Sequence, residues 1–214
     1  KSDMEKDLNE SLKQLRTDYI DLYFYHRDDT AQPVEDLIEV MQGFVKEGKI
    51  RYYGCSNWSA ARMAEADAYC KAKGYRGFVA NQALLNIGSK YMNPLDDDTM
   101  CAIDDAMYEY HRKTPENLAM PYMGVCSGFF HLYVAKGEDA VKNSPYYTPG
   151  NLAVAKKVKA LMEKYGASVS QVVLGYFYQQ DFACLPLYGP QNVEQLKDAM
   201  GTMDIAFVKE DYDL

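Results

Sequence analysis

His26 is the first residue of this sequence with the makings of a reactive site. It directly follows the aromatic run Tyr19-Ile20-Asp21-Leu22-Tyr23-Phe24-Tyr25. An imidazole, with an ordinary pKa of about 6.5, can hydrogen-bond a substrate oxygen or move a proton near neutrality. A histidine that only closes a strand end and bonds a neighbour fits the same position. Ser56 and Asn57 follow a second apolar run, and Gln82 follows a third. Their hydroxyl and amide groups match the donors and acceptors of a carboxamide, or equally tie loops to backbone. The Tyr122 ring can stack on a flat ligand or fill space. Gly189 lies just ahead of a last helix near Asn192, whose free N–H groups suit a phosphate.

Metal chemistry fits poorly. A zinc hydrolase takes several histidines from different strand ends, and only His26 is so placed. His111 falls near a helix end and His131 in an irregular stretch. The Arg27-Asp28-Asp29 cluster reads as a solvated, charged turn. Cys55, Cys70, Cys101, Cys126 and Cys184 stand far apart, without a C-x-x-C pair. An odd, unpaired set reads as reduced thiols of a cytoplasm, filling the core as small hydrophobes.

The candidates all sit where one kind of element gives way to another. Leu8, Leu12 and Leu15 share one face of a helix over Glu5–Leu15, ahead of the aromatic strand Tyr19–Tyr25. Pro33 opens a helix carrying Leu37, Ile38, Met41, Phe44 and Val45, which ends near Gly48. A strand over Ile50–Cys55, a helix over Ser59–Ala72 and a strand over Phe78–Gln82 follow. Next come a helix over Asp97–Arg112 and a strand over Met120–Val125. An irregular stretch then runs to Gly150. Helices over Asn151–Tyr165 and Ser168–Gln179, each with a capping residue at its start, precede a strand over Phe182–Leu187 and a helix over Asn192–Met200. Buried strands separated by helices predict a parallel sheet, with chemistry beyond the carboxyl ends of its strands. About five strand–helix units are expected, in one domain over residues 1–214, because no linker divides them. A doubly wound sheet and part of a (β/α)8 barrel both fit. The first lacks its glycine fingerprint, and the second needs eight units.

With 48% hydrophobic and 25% charged residues, the 214-residue chain has a globular balance that excludes disorder. A net charge of −8 argues against a nucleic-acid partner. No apolar run approaches the roughly 20 residues of a membrane helix, and the start Lys1-Ser2-Asp3-Met4-Glu5-Lys6 has no signal-peptide core. A cytoplasmic location is therefore expected.

Five stretches, in order, resemble the aldo-keto reductase family. Ser11 to His26 is similar to its SLxxLxxDYIDLxxxH segment, and Gly48 to Asn57 to GKIRxxGxSN. Asn81-Gln82 resembles the following NQ, Tyr122 with Gly128-Phe129-Phe130 a later YSxxxxGFF-like segment, and Gly189 to Leu196 a GxRxPEQL segment. The resemblance implies a (β/α)8 TIM-type barrel that uses NADPH, or less often NADH, to reduce carbonyl compounds to alcohols. It implies that His26 orients the substrate carbonyl and that Ser56, Asn57 and Gln82 hold the nicotinamide carboxamide. Tyr122 would stack on the ring, and the segment with Gly189, Gln191 and Gln195 would lie against the adenosine phosphate. Gln191 replaces a frequent arginine and Gln195 is neutral, which weakens a 2′-phosphate site. The family's tyrosine, aspartate and lysine precede the segment matched by Ser11–His26. The chain is thus expected to be the carboxyl-terminal part of such a reductase, truncated before its first three units and inactive alone. Its open sheet edges would need an amino-terminal segment or another chain. A non-catalytic binding or regulatory module on the same scaffold is the alternative.

Overall fold

The computed structural model describes residues 2–94 and 96–213. They form two compact units, the first built from residues 1–82 and 105–118, the second from 83–104 and 119–214. Each unit draws on two chain segments, so no linker in the sequence marks a boundary between them.

The first unit is a parallel strand–helix array. Helix α1 (Ser2–Leu15) has acids in its first turn and Lys13 in its last, which suits the helix dipole; Leu8 alone is fully buried from its leucine stripe. Strand β1 (Ile20–Tyr25) leads to helix α2 (Val34–Lys46), which starts just after Pro33 and buries Leu37, Ile38, Met41 and Phe44. Strand β2 (Ile50–Ser56) leads to helix α3 (Ala60–Lys73). Ser59 caps α3 by accepting from the Arg62 N–H, and Gly74 closes it at φ 71°, a left-handed value that costs glycine little. Strand β3 (Phe78–Gln82), helix α4 (Asp105–Lys113) and the first residue of the two-residue strand β4 (Leu118–Ala119) complete the unit.

Parallel register positions the candidate site. Ile20 stands opposite Ile50 and Tyr25 opposite Cys55, while Ser56 stands opposite Gln82. The carboxyl ends of β1, β2 and β3 therefore finish level, and His26, Ser56-Asn57 and Gln82 share one rim. Gly54 makes this pairing feasible. A Cβ there would come within 2.5 Å of the Phe24 ring and 2.7 Å of the Ala80 carbonyl oxygen. Trp58 is fully buried and packs edge-on against Phe78, with ring centroids 4.9 Å apart.

The second unit is mainly helical, with α5 (Phe129–Lys136), α6 (Pro149–Tyr165), α7 (Val169–Gly175) and α8 (Val193–Met200). Its core gathers Phe129, Phe130, Val154, Val158, Val172 and Phe177. Several expectations change here. The helix over Asp97–Arg112 begins only at Asp105. Asp97 instead binds the Thr99 N–H, and Leu84 takes up the Cys101 carbonyl and the Ile103 N–H in a bridge. The strand over Met120–Val125 is absent, because Pro121 lacks a donor and Met123 sits at φ 58°. The strand over Phe182–Leu187 reduces to one parallel bridge, Ala119 with Cys184, extended by Leu185 and Leu187 N–H bonds to the Ala119 and Pro121 carbonyls. Helix α6 starts earlier than expected, capped by Thr148 rather than Asn151. Ser168 caps α7 in a full capping box with Gln171. Among the described residues, no helix is long and apolar enough to cross a membrane.

Candidate active site

At the rim of the first unit, Asn57 adopts φ 60°, a left-handed conformation that asparagine tolerates better than most residues. That turn brings its side chain back over the strand ends. Asn57 Nδ2 donates to the His26 carbonyl at 3.2 Å and to Ser56 Oγ at 3.0 Å. Ser56 Oγ donates to the Gln82 carbonyl at 2.8 Å, and the Asn57 N–H reaches the same carbonyl at 3.0 Å. Four of the predicted residues are thus stitched together. Ser56 and Asn57 are buried and their donors bind backbone, so they hold the rim level. The half-buried Gln82 carboxamide and the exposed His26 ring make no hydrogen bond to the described residues. Asn81, the other half of the NQ pair, points away from this rim. Its Nδ2 contacts His111 Nε2 at 3.2 Å in a buried cluster.

The turn after β1 is not solvated throughout, as its charges suggest. The Asp28 side chain is 7% exposed and bonds Arg62 through both oxygens, at 2.9 Å each. Tyr25, the residue before His26, donates its hydroxyl to the Leu37 carbonyl at 2.9 Å. Burial raises its pKa well above the ordinary tyrosine value, so this hydroxyl is committed to structure.

The other predicted residues lie in the second unit. Tyr122 is half-buried, and its hydroxyl donates to the Cys101 carbonyl at 3.3 Å. The turn that follows is strained, with Met123, Cys126 and Ser127 at φ 58°, 53° and 49°. Sequence reasoning missed the residue that holds it. Asn86, buried, donates to the Met123 carbonyl and the Tyr146 hydroxyl, and accepts from the Gly88 N–H and Cys126 Sγ. A lone asparagine within the buried apolar run Ala83-Leu84-Leu85-Asn86-Ile87 carries no signal of such a role. Burial raises the Cys126 thiol pKa and pushes that of Cys184 up to about 12, which disfavours the thiolate at both. Gly189, Gln191 and Gln195 are exposed. Asn192 Oδ1 accepts from the Gln195 N–H at 2.8 Å, and Gln195 Oε1 from the Gln191 N–H at 2.7 Å. The amides expected to meet a phosphate there are partly taken by neutral caps, and Glu194 puts an acid in the first turn. No group of three metal-ligating side chains occurs among the described residues.

Comparison with known proteins places the chain in a family. The sequence model described as the Aldo/keto reductase family matches residues 1–214. The match spans the whole chain and does not single out a carboxyl-terminal part. The chain is 25% identical over 207 residues to the oxidoreductase YrpG of Bacillus subtilis (strain 168), covering 97% of this chain and 60% of that protein. It is 24% identical to a probable aldo-keto reductase 1 of Glycine max, covering 94% of this chain and 55% of the relative. Identity is 25% to the NADP(+) aryl-alcohol dehydrogenase of Phanerodontia chrysosporium, at 97% and 54% coverage. The chain therefore spans little more than half the length of these relatives. A solved thermostable aldo-keto reductase, Tm1743 in complex with the inhibitor epalrestat, shares the fold with a TM-score of 0.71 at 21% identity, covering 99% of this chain and 64% of that one. Matched along its full length, and carrying a level rim of histidine, serine, asparagine and glutamine at its parallel strand ends, the chain belongs to the aldo/keto reductase family.

Proposed function

We propose that these residues form the carbonyl-orienting and nicotinamide-binding part of an NAD(P)H-dependent oxidoreductase that reduces aldehydes or ketones to alcohols. The observation that carries this reading is the rim itself. Gln82 offers an uncommitted donor and acceptor on the same rim as His26, and Ser56 and Asn57, at the end of the strand between them, bond the backbone carbonyls of both. The Gln82 carboxamide matches the nicotinamide carboxamide, and the bound cofactor would supply the hydride. His26 would hydrogen-bond the substrate carbonyl oxygen and fix its aim. In the second unit, taken by itself, Tyr122 is the residue suited to stacking on a flat ring, and Gly189, Gln191 and Gln195 are those suited to an adenosine phosphate. NADPH is the expected cofactor, with NADH second. The advantage of the 2′-phosphate is expected to be small, because the first turn of α8 holds Glu194 and no lysine or arginine. We place the protein in the cytoplasm, with a small carbonyl compound as partner and neither nucleic acid nor membrane.

One observation favours a second reading, in which the 214 residues bind cofactor without turnover. The tyrosine hydroxyl nearest His26 in sequence is locked on the Leu37 carbonyl and cannot deliver a proton there. General acid catalysis contributes about 10²–10⁴-fold, so turnover by this chain on its own is expected to be undetectable. Its barrel would then be partial, with about five strand–helix units. Titrating the chain with NADPH and NADH while following Trp58 fluorescence, and assaying reduction of an aromatic aldehyde, tests both readings. Saturable quenching without turnover is the expected result. The absence of any cofactor binding by calorimetry would overturn both.

A further inference from the structure

We infer that Arg62 is a positioning residue for His26, acting through Asp28; the inference rests on the proposed carbonyl-orienting role of His26. Nothing bonds the His26 ring among the described residues, so its aim depends on the backbone that carries it. That backbone is pinned on both sides. The His26 carbonyl accepts from Asn57 Nδ2 at 3.2 Å. Two residues on, Asp28 receives Arg62 Nε and Nη2 at 2.9 Å each, in a parallel two-bond fork. Nη2 also reaches the Asp29 and Gln32 carbonyls, at 3.3 and 3.2 Å. One guanidinium thus holds three residues of the turn, and it lies with little exposure, 17% for Arg62 against 7% for Asp28.

The placement of Arg62 says what it is for. It stands in the first turn of α3, where the helix dipole favours acids, and that turn contains none. An arginine there does not help the helix; it is held by the acid that the turn after β1 supplies. Its guanidinium also sits 5.2 Å over the Trp58 ring. Trp58 in turn packs on Tyr25, with centroids 5.8 Å apart, and Tyr25 is the residue before His26. Arg62 therefore braces the strand end from both directions, through the turn and through the tryptophan.

The test compares the wild-type chain with Arg62→Ala and Asp28→Asn. It follows the His26 ring resonance, the Asn57 side-chain amide protons and hydrogen exchange at the Gln32 amide. Losing the fork is expected to shift and broaden the His26 resonance and move the Asn57 amide signals. Exchange at Gln32 should quicken by about tenfold or more, as loss of charge-assisted hydrogen bonds implies, while β2 and β3 amides stay protected. If the chain reduces carbonyls, kcat should fall with the cofactor KM unchanged. Where Arg62→Ala does not fold, Asp28→Asn, close in shape, carries the test. An unaltered His26 resonance in a folded variant overturns the inference. So does an equal loss of protection across β2 and β3, which would make Arg62 a general structural residue. A wild-type chain that binds no cofactor refutes the proposed function, while the resonance and exchange data still decide the role of Arg62.

Discussion

At the scale of single residues, the rim separates groups that hold from groups that are held ready. Ser56 and Asn57 spend their donors on backbone carbonyls and on each other, whereas Gln82 keeps its carboxamide uncommitted. Gln82→Ala should leave the fold intact and weaken nicotinamide-cofactor binding by about 1–3 kcal/mol, the net worth of two neutral hydrogen bonds. Calorimetric titration checks this, and unchanged affinity in the folded variant would return Gln82 to a structural role. Gly54 is the opposite case, with no polar group to offer and no room to spare. An added methyl would press on the Phe24 ring and the Ala80 carbonyl together, and backbone cannot move aside cheaply. Gly54→Ala is expected to cost about 1–3 kcal/mol, as overpacking does, seen as a lower urea midpoint. Both residues stand in motifs readable from the sequence. The sequence alone hides the committed state of Ser56 and Asn57, because a hydroxyl or amide reads the same whether it faces ligand or backbone.

Among the elements, those of the first unit follow their local signals closely. Alternating apolar runs, Ser59 as a cap and Gly74 as a stop place β1 to β3 and α2 to α3 within a residue or two. The second unit departs for identifiable reasons. Asp97 folds onto Thr99 and competes with helix formation. Pro121 and Pro186 remove donors from two expected strands. Helix α5 was hidden because Gly128, not a capping side chain, precedes it, and because Phe129-Phe130-His131-Leu132 shows no amphipathic period. Helix α4 adds a pH dependence that no pattern announces. His111 is buried, with Nε2 facing the Asn81 amide donor at 3.2 Å and Nδ1 against the Asn117 carbonyl at 3.3 Å. That arrangement suits a neutral ring protonated on Nδ1, and burial lowers its pKa below the ordinary value. Below about pH 6.5 the unfolded chain therefore binds a proton that the folded chain refuses. Stability should fall as pH drops from there towards the lowered native pKa, by at most ~1.4 kcal/mol per pH unit for one site. His111→Gln should flatten that decline in urea titrations. Identical slopes for the variant and wild type would show that His111 does not contribute it.

For the whole molecule, backbone pairing sets the behaviour. Strand β1 pairs with β2 on one side, and no described strand lies on the other. Among the described residues, the segment around Cys184 pairs only with residues 119–121, and it exposes Leu185 and Leu187. Pro186 blunts that second edge by removing a donor. The exposed, ion-paired Asp21 gives β1 one charged position, and the rest of IDLYFY is uncharged and half-buried. An unprotected edge of this kind templates pairing with another chain. We propose that a further segment or another chain covers it in the working protein. In isolation the 214-residue chain should self-associate at micromolar concentration. A net charge of −8 opposes that association, so salt, which screens like-charge repulsion, should strengthen it. A cosolvent that merely unfolded the chain would instead expose β2 and β3 along with the edge. Sedimentation across a salt series, with hydrogen exchange on β1 and β2, separates the two. Rising mass with salt and β1 amides that gain protection on association are the expected result. A salt-independent monomer of 24.3 kDa, with β1 as well protected as β2, would mean that the edge is closed within this chain.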